Sequence, residues 1–386
     1  MLERLRSLPG YLLLCIALCV LAGIPRAFAA TTYFLVTVDT ETSSGCGPKG
    51  CFPDGIEDRI LGEHDGRRLG APLIMDMLEQ RGMRGTFFVN AYIGSVYPAA
   101  DIKRFVQEML ERGHDVQFHA HPEFRCFKTC PKEDLACRAR CVKEDSFIVG
   151  NTYENQFKIL KEGADAIRDW TGGRPLLAYR GGGYVADENT LKALRALDVP
   201  IDMSLSGPEH PLARKFPLNK AAELDGTLEI PLYDFTENLF GHKRNKHLDV
   251  ETTSWPEQQA IIEDGIAHDV RVIVLMMHSF SFCEASRGCP AQDNIDRFAK
   301  LLDWLKARPD VKVVTVSALW DAYRRDPTIL TGGSGHVPET GYWLTLRRSA
   351  ERFHEGWENR LFLIGNVLAC CAVLAAAFWL LRRSRR

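Results

Sequence analysis

The chain has no excess of charge of either sign: 48 lysines and arginines stand against 50 aspartates and glutamates, a formal net charge of −2. Arg4, Arg6, Arg26 and the arginines of the last five residues lie at the ends, so the body between them is mildly acidic. That removes the electrostatic reason to expect a nucleic-acid partner. Internal repeats are missing, which excludes a repeat array. Although there are 12 cysteines, no pair has the tight C-x-x-C spacing of common zinc knuckles. Uncharged apolar runs long enough to cross or enter a membrane are confined to the two ends. What remains is a chain of 386 residues, 46% hydrophobic and 25% charged, a globular composition able to bury a large core as one large domain or two smaller ones.

The ends are informative. Arg4 and Arg6, an apolar run from Tyr11 to Ile24, and Ala27-Phe28-Ala29-Ala30 match the three regions of a secretory signal, read as residues 1–30. An uncleaved signal-anchor is the alternative, for which the run is short. Residues 361–381 carry no charge over a length that crosses a bilayer, and the basic tail 382–386 follows at once. A basic cluster stays in the cytoplasm, so both ends agree on a single C-terminal span in the cytoplasmic membrane. The body, residues 31–330, then lies in the periplasm or extracellular space, joined to the span by a linker, 331–360, that opens with Gly332-Gly333-Ser334-Gly335. Asn366 is the one strongly polar residue in the span, placed to contact another helix or to sit near the interface.

Cys15 and Cys19 fall in the signal and Cys370 and Cys371 in the span, which leaves an even set of eight in the exported body. In an oxidising compartment such a set reads as disulfides. Cys126, Cys130, Cys137 and Cys141 place two thiols on one face of each of two helical turns, so a hairpin pairs Cys126 with Cys141 and Cys130 with Cys137; four thiols around a structural zinc are the alternative. Cys46 with Cys51 and Cys283 with Cys289 are short loop staples. The polar, cysteine-rich excursion 123–150 reads as a decoration on the rim.

Along the body, apolar strands and amphipathic helices alternate. The pattern predicts strands over 33–38, 85–89, 116–120, 175–179, 270–277 and 311–316, with shorter ones near 200–204 and 228–231 separated by a loop without a clear pattern. Helices are expected over 71–80, 101–112, 155–170, 187–196, 255–268, 295–307 and 317–324. A βαβαβ rhythm implies an α/β fold with a parallel sheet and right-handed crossovers, doubly wound or closed into a barrel.

Chemistry gathers at the strand ends. The first strand ends in Asp39-Thr40-Glu41, the third in His119-Ala120-His121-Pro122, the fourth in Arg180-Gly181-Gly182-Gly183-Tyr184, and the most β-branched run in His278. On an extended strand His119 and His121 share a face with Gln117, opposite Val116, Phe118 and Ala120, and Asp39 and Glu41 share a face in the same way. Polar residues at the C-terminal ends of separate strands are the pattern of a barrel active site.

In this order the motifs T-x-D-x-E, T-F-F-V, the histidine pair before proline, R-x-G-G-Y and the apolar strand ending in histidine resemble the polysaccharide deacetylases of the NodB-homology group, carbohydrate esterase family four. The resemblance spans about residues 33–325. It implies a distorted (β/α) barrel of about seven parallel strands, a single divalent metal, usually zinc, and removal of acetyl groups from sugars. By resemblance Glu41, His119 and His121 are the metal ligands, Asp39 the general base, Arg180 the residue that orients it and His278 the general acid. Two departures stand out. Thr40 takes the place of the usual second aspartate, which moves the carboxylate to Glu41, and the histidine spacing is i,i+2 in place of i,i+4.

Two imidazoles and a carboxylate leave an open position on zinc, where a carbonyl can be polarised. A backbone N–H near Tyr184 is a candidate for the oxyanion, which makes Tyr184 a substrate-binding candidate. Asp202 is another, as a partner of Arg180 or His278, or else a solvent-facing acid at a strand end. The first expectation is a membrane-anchored, metal-dependent enzyme that removes acetyl groups, N-acetyl in the main reading, from a cell-surface or secreted polysaccharide. A deformylase of a lipid-linked sugar is a variant of the same chemistry. A catalytically silent barrel that binds glycan, or scaffolds surface-polymer assembly proteins, is the alternative of another class.

Overall fold

The computed structural model describes residues 31–383 apart from 48, 49, 52, 132, 146, 147, 284–287 and 355. The expected signal peptide and the last three residues of the basic tail lie outside the described residues. The main strands are β1 (Thr32–Thr40), β2 (Thr86–Asn90), β3 (Asp115–Ala120), β4 (Ala178–Gly181), β5 (Ile201–Asp202), β6 (Ala222–Leu224), β7 (Thr227–Glu229), β8 (Asp234–Leu239), β9 (His242–His247), β10 (Val272–His278), β11 (Val311–Val313) and β12 (Glu339–Thr340).

Nine of them form one curled sheet in the order β6-β7-β5-β4-β3-β2-β1-β10, with β11 on the first residues of β1. All run parallel save β6, so the sheet is a half-barrel of eight parallel strands, close to the expected seven, with one antiparallel edge strand. Single hydrogen bonds cross the open side: the Met276 N–H donates to Leu248 O and the Leu248 N–H to Tyr233 O.

Helices α1 (Ala71–Glu79), α2 (Ala99–Glu111), α3 (Tyr153–Trp170), α4 (Glu188–Ala196), α5 (Trp255–Ala267), α6 (Gln292–Lys306) and α7 (Val316–Arg325) lie close to the expected ranges. The period of two divides the strand residues between two cores. Phe34, Val36 and Val38 of β1, with Val116, Phe118 and Ala120 of β3, pack outward against α1, α2 and α3. Leu35 points into the barrel, where Phe88, Ala178, Ile201 and Val274 fill the floor. Continuing along that inner face, Thr37 and Asp39 on β1 and Gln117 and His119 on β3 rise above the floor, all buried. An apolar base thus carries a polar rim at the C-terminal ends of the strands.

On the rim, two short helices, Cys126–Thr129 and Leu135–Asp145, are joined by Cys126–Cys141 and Cys130–Cys137 disulfides, so these sulfurs are bonded to one another and do not surround an ion. Cys283 is bonded to Cys289. Cys46 and Cys51 face each other across a two-residue ribbon, and their side chains lie outside the described residues.

The stretch expected as a linker, 331–360, is built into the body. It supplies β12, which pairs with β8, and helix α8 (Tyr342–Glu351). Arg348 of α8 is ion-paired with Glu237 and, at 2.7 Å, with Glu257. Helix α9 (Trp357–Arg383) follows; its segment Trp357–Ala377 is long and apolar enough to cross a membrane and is wholly unburied. Asn366 in α9 accepts from the Tyr342 hydroxyl and donates to Phe362 O at 2.7 Å, so it does contact a neighbouring helix.

Candidate active site and metal centre

Parallel register assembles the rim. Asp39 lies beside His278, Asn90 beside His119, and His119 beside Arg180. Glu41 follows β1 directly and His121 follows β3, so both reach in from strand ends.

Glu41 Oε2 is 2.9 Å from His119 Nε2 and 2.7 Å from His121 Nε2. The other ring nitrogens are committed elsewhere: His119 Nδ1 donates to Arg180 O at 2.9 Å, and His121 Nδ1 lies 2.8 Å from Glu123 Oε1. With Nδ1 of each ring so engaged, Nε2 is the atom that meets Glu41, as a donor to the carboxylate or, with a cation between them, as a lone pair on that cation. Three lone-pair donors aimed at one point fit a divalent cation, with a carbonyl and a carboxylate as the outer partners that orient metal-binding imidazoles. Burial works against the Glu41 carboxylate, but the charge of His121 and hydrogen bonds from both rings outweigh it and hold the group well below its usual range. His121 is opposed by burial too and is lifted well above an ordinary imidazole by Glu41 and Glu123.

Gly182 makes room for this arrangement, since a Cβ there would lie 2.6 Å from Ala120 O and 2.9 Å from His121 Nδ1. The glycine run after Arg180 is thus a close approach as well as a turn, in which Gly183 takes a φ of +62°.

Arg180 is fully buried and held on four sides. Nη1 donates to Asp39 Oδ1 at 2.7 Å, Nη2 to Thr37 Oγ1 at 3.0 Å and Nε to Met203 O at 3.3 Å, while the guanidinium lies 4.3 Å from the centre of the Phe88 ring. Asp39 keeps its second oxygen toward this cluster, 3.8 Å from His119 Nε2.

On the opposite side His278 points Nε2 toward Glu41 at 3.9 Å, and its Nδ1 is 2.8 Å from Glu251 Oε1. Ser281 Oγ donates to the same Glu251 oxygen at 2.5 Å. Burial would lower His278, but Glu251, followed by Glu41 and Asp39, raises it to about 9.

Beside His278 opens a cleft of about 500 Å³, whose lining includes Tyr184, His247, Arg348, Glu358 and Asn359. Tyr184 sits at its wall with a φ of +60°, its ring 5.1 Å from that of His247.

Asp202 lies elsewhere. It is fully buried, not solvent-facing, and its Oδ1 accepts from Ser204 Oγ at 2.7 Å, while Arg180 and His278 have the partners given above. Beside it in register is Glu229. Burial raises both carboxyls, and the nearness of Asp202 adds to the rise at Glu229. Ser204 Oγ also accepts from the Gly181 N–H at 3.0 Å, so Asp202 bears on the end of β4 only through Ser204.

Sequence reasoning missed Glu123, Glu251, Ser281 and His247. Glu123, two residues after His121, was the accessible one; Glu251 lies in an irregular stretch before α5, where nothing local marks it.

Several solved structures are similar to this chain at low identity. A putative polysaccharide deacetylase from Mycobacterium smegmatis is 16% identical, covering 82% of this chain and 98% of that one with a TM-score of 0.49. Peptidoglycan deacetylase PdaC from Bacillus subtilis is 12% identical, covering 77% and 94% with a TM-score of 0.39. A family 4 carbohydrate esterase from Streptomyces lividans, in complex with acetate, is 12% identical, covering 74% and 93% with a TM-score of 0.37. No curated protein matches the sequence. The family described as polysaccharide deacetylase matches residues 64–201, a span that holds His119, His121 and Arg180 and stops short of Asp39, Glu41 and His278. That span, about a third of the chain, resembles the family by sequence.

Proposed function

We propose that the protein is a membrane-anchored deacetylase that hydrolyses acetamido groups on a cell-surface or secreted glycan. The observation that carries this reading is the convergence of Glu41 with His119 and His121 between a buried Asp39–Arg180 pair and a Glu251-held His278. Glu41, His119 and His121 would hold a divalent cation, most simply zinc, which supplies Lewis acidity toward the acetyl carbonyl.

The remaining roles belong to the chain. Asp39, oriented by Arg180, accepts a proton from the attacking water. His278, protonated at neutral pH, gives a proton to the amine nitrogen as the C–N bond breaks, so amide and water yield amine and acetate. Tyr184, at the wall of the cleft, is placed to contact the sugar or, through its N–H, the oxyanion. The even cysteine set and the apolar α9 support an oxidising compartment with the barrel outside the cytoplasmic membrane.

Release of acetate from an N-acetylated oligosaccharide by the full chain in detergent tests the reading. Asp39→Asn should reduce it by about 10²–10⁴-fold while the bound metal is retained; undiminished release from that variant would overturn the assignment.

A further inference from the structure

We infer that the β8–β9 hairpin tip and α8 form a face that docks on the bilayer and turns the cleft beside His278 toward the lipid headgroups. This rests on the reading of α9 as a membrane anchor. Three large aromatic side chains stand on the surface here: Phe240 at the hairpin tip is 83% exposed, Trp343 on α8 74% and Trp357 at the start of α9 68%. The first two belong to a chain of ring contacts. The Tyr342 ring lies 5.3 Å from Phe240, 5.2 Å from Trp343 and 6.1 Å from Phe362 of α9.

Those contacts fix the level of the face against the membrane helix. The Tyr342 hydroxyl donates to Asn366 Oδ1. At 1.5 Å per residue, Asn366 lies about 8 Å beyond Leu361, where the charge-free run begins. Phe240, Tyr342 and Trp343 are therefore alongside the first turns of the apolar segment, the depth at which aromatic rings settle in a bilayer interface. A helix that enters the membrane at Leu361 carries these rings to the boundary with it.

Basic residues stand just above that level. Arg347 is one turn from Trp343 on the same side of α8, Arg360 directly precedes the apolar run, and Lys243 and Arg244 follow the hairpin tip; all are exposed. Rings at the acyl boundary with cations at the phosphates is the order that an anionic leaflet favours.

The cleft reaches this face, because Glu358 and Asn359 at the foot of α9 line it together with Tyr184, His247 and His278. A glycan reaching His278 past Glu358 and Asn359 comes from the membrane side. The substrate is then an acetamido sugar held at the bilayer, as on a lipid-linked glycan, in preference to a free oligosaccharide.

The test uses the full chain in nanodiscs of phosphatidylethanolamine and phosphatidylglycerol, with photoreactive p-benzoylphenylalanine in place of Phe240 or Trp343, or of Leu224 on the edge strand β6 as a control. Lipid adducts are expected from positions 240 and 343 and none from 224. Incorporated chain that gives no adduct at 240 and 343, or equal adducts at all three, overturns the docking face. A chain that does not remain with the nanodiscs overturns the anchor, and the docking face with it.

The substrate assignment has its own readout. Phe240→Asp combined with Trp343→Asp should lower acetate release from a lipid-linked acetamido sugar by about 10²-fold, the low end of the gain that tethering near a site supplies, and leave release from the soluble oligosaccharide unchanged. Equal loss on both substrates overturns the membrane-borne substrate. No release from either by the unsubstituted chain overturns the deacetylase reading and the substrate assignment together, whereas the adducts do not depend on activity.

Discussion

His119 and Arg180 sit side by side in parallel register, and the ring Nδ1 of His119 donates to the backbone carbonyl of Arg180 at 2.9 Å. The residue whose side chain holds Asp39 thus also fixes, through its main chain, which nitrogen of His119 faces Glu41. The proposed general base and one proposed metal ligand are positioned by one strand end.

Removing the Arg180 side chain should therefore do more than slow the reaction. Arg180→Met leaves the Asp39 carboxylate buried without its partner, and breaking a buried pair in this way costs about 3–5 kcal/mol. Urea denaturation should show that loss, with a smaller one for Asp39→Gln combined with Arg180→Met, which leaves no uncompensated charge. A single Arg180→Met variant as stable as the unsubstituted chain would contradict the account of the pair.

Titration of His278 sets the alkaline side of the pH profile. Because its folded value is raised to about 9, the proton donor is present through neutrality and is lost as pH rises through about 9, so kcat/KM should fall there. The same group stabilises the fold fully below the unfolded imidazole value of about 6.5, a contribution that disappears as pH rises through the folded value. Glu251→Gln removes the largest influence raising it, and the alkaline limb should move toward neutrality. An unmoved limb would show that Glu251 does not tune this histidine.

The proposed metal ligands depend on what surrounds them. Gly182→Ala would push a methyl group to within 2.9 Å of His121 Nδ1, and Glu123→Ala would free the same nitrogen from its carboxylate. Both should weaken metal affinity by about 10–100-fold, the usual cost of losing an outer partner. Competition with a fluorescent zinc chelator measures this, and affinities equal to that of the unsubstituted chain would rule out the orienting role.

Much of this was legible in the sequence for a physical reason. Strands such as Tyr33–Val38 and Val270–Met277 are apolar and β-branched because both faces are covered, and a buried strand advertises itself. Alternation then assigned His119 and His121 to one face without coordinates. The hairpin Asp234–His247 was not legible, because His242-Lys243-Arg244-Asn245-Lys246-His247 lies at the surface and carries no apolar period. Nor was α8, whose fully buried positions Thr345 and Ser349 are polar. With the hairpin unseen, Glu251 and the cleft wall beside it had no place in the fold, and the stretch after Gly332 read as a tether. Asp202 was misplaced for a related reason: a carboxylate at a strand end looks solvated until its neighbour across the sheet, Glu229, is known to be an acid buried beside it.

The central claim is that Glu41, His119 and His121 hold a cation on which deacetylation depends. Its most direct test is the acetate released by the full chain after chelation, as zinc is added back in measured equivalents. The account predicts that release is abolished by chelation, returns in proportion to zinc and levels off at about one equivalent for this three-ligand site, with no return in Glu41→Gln. Acetate release that survives chelation undiminished, or that returns equally in Glu41→Gln, would contradict it.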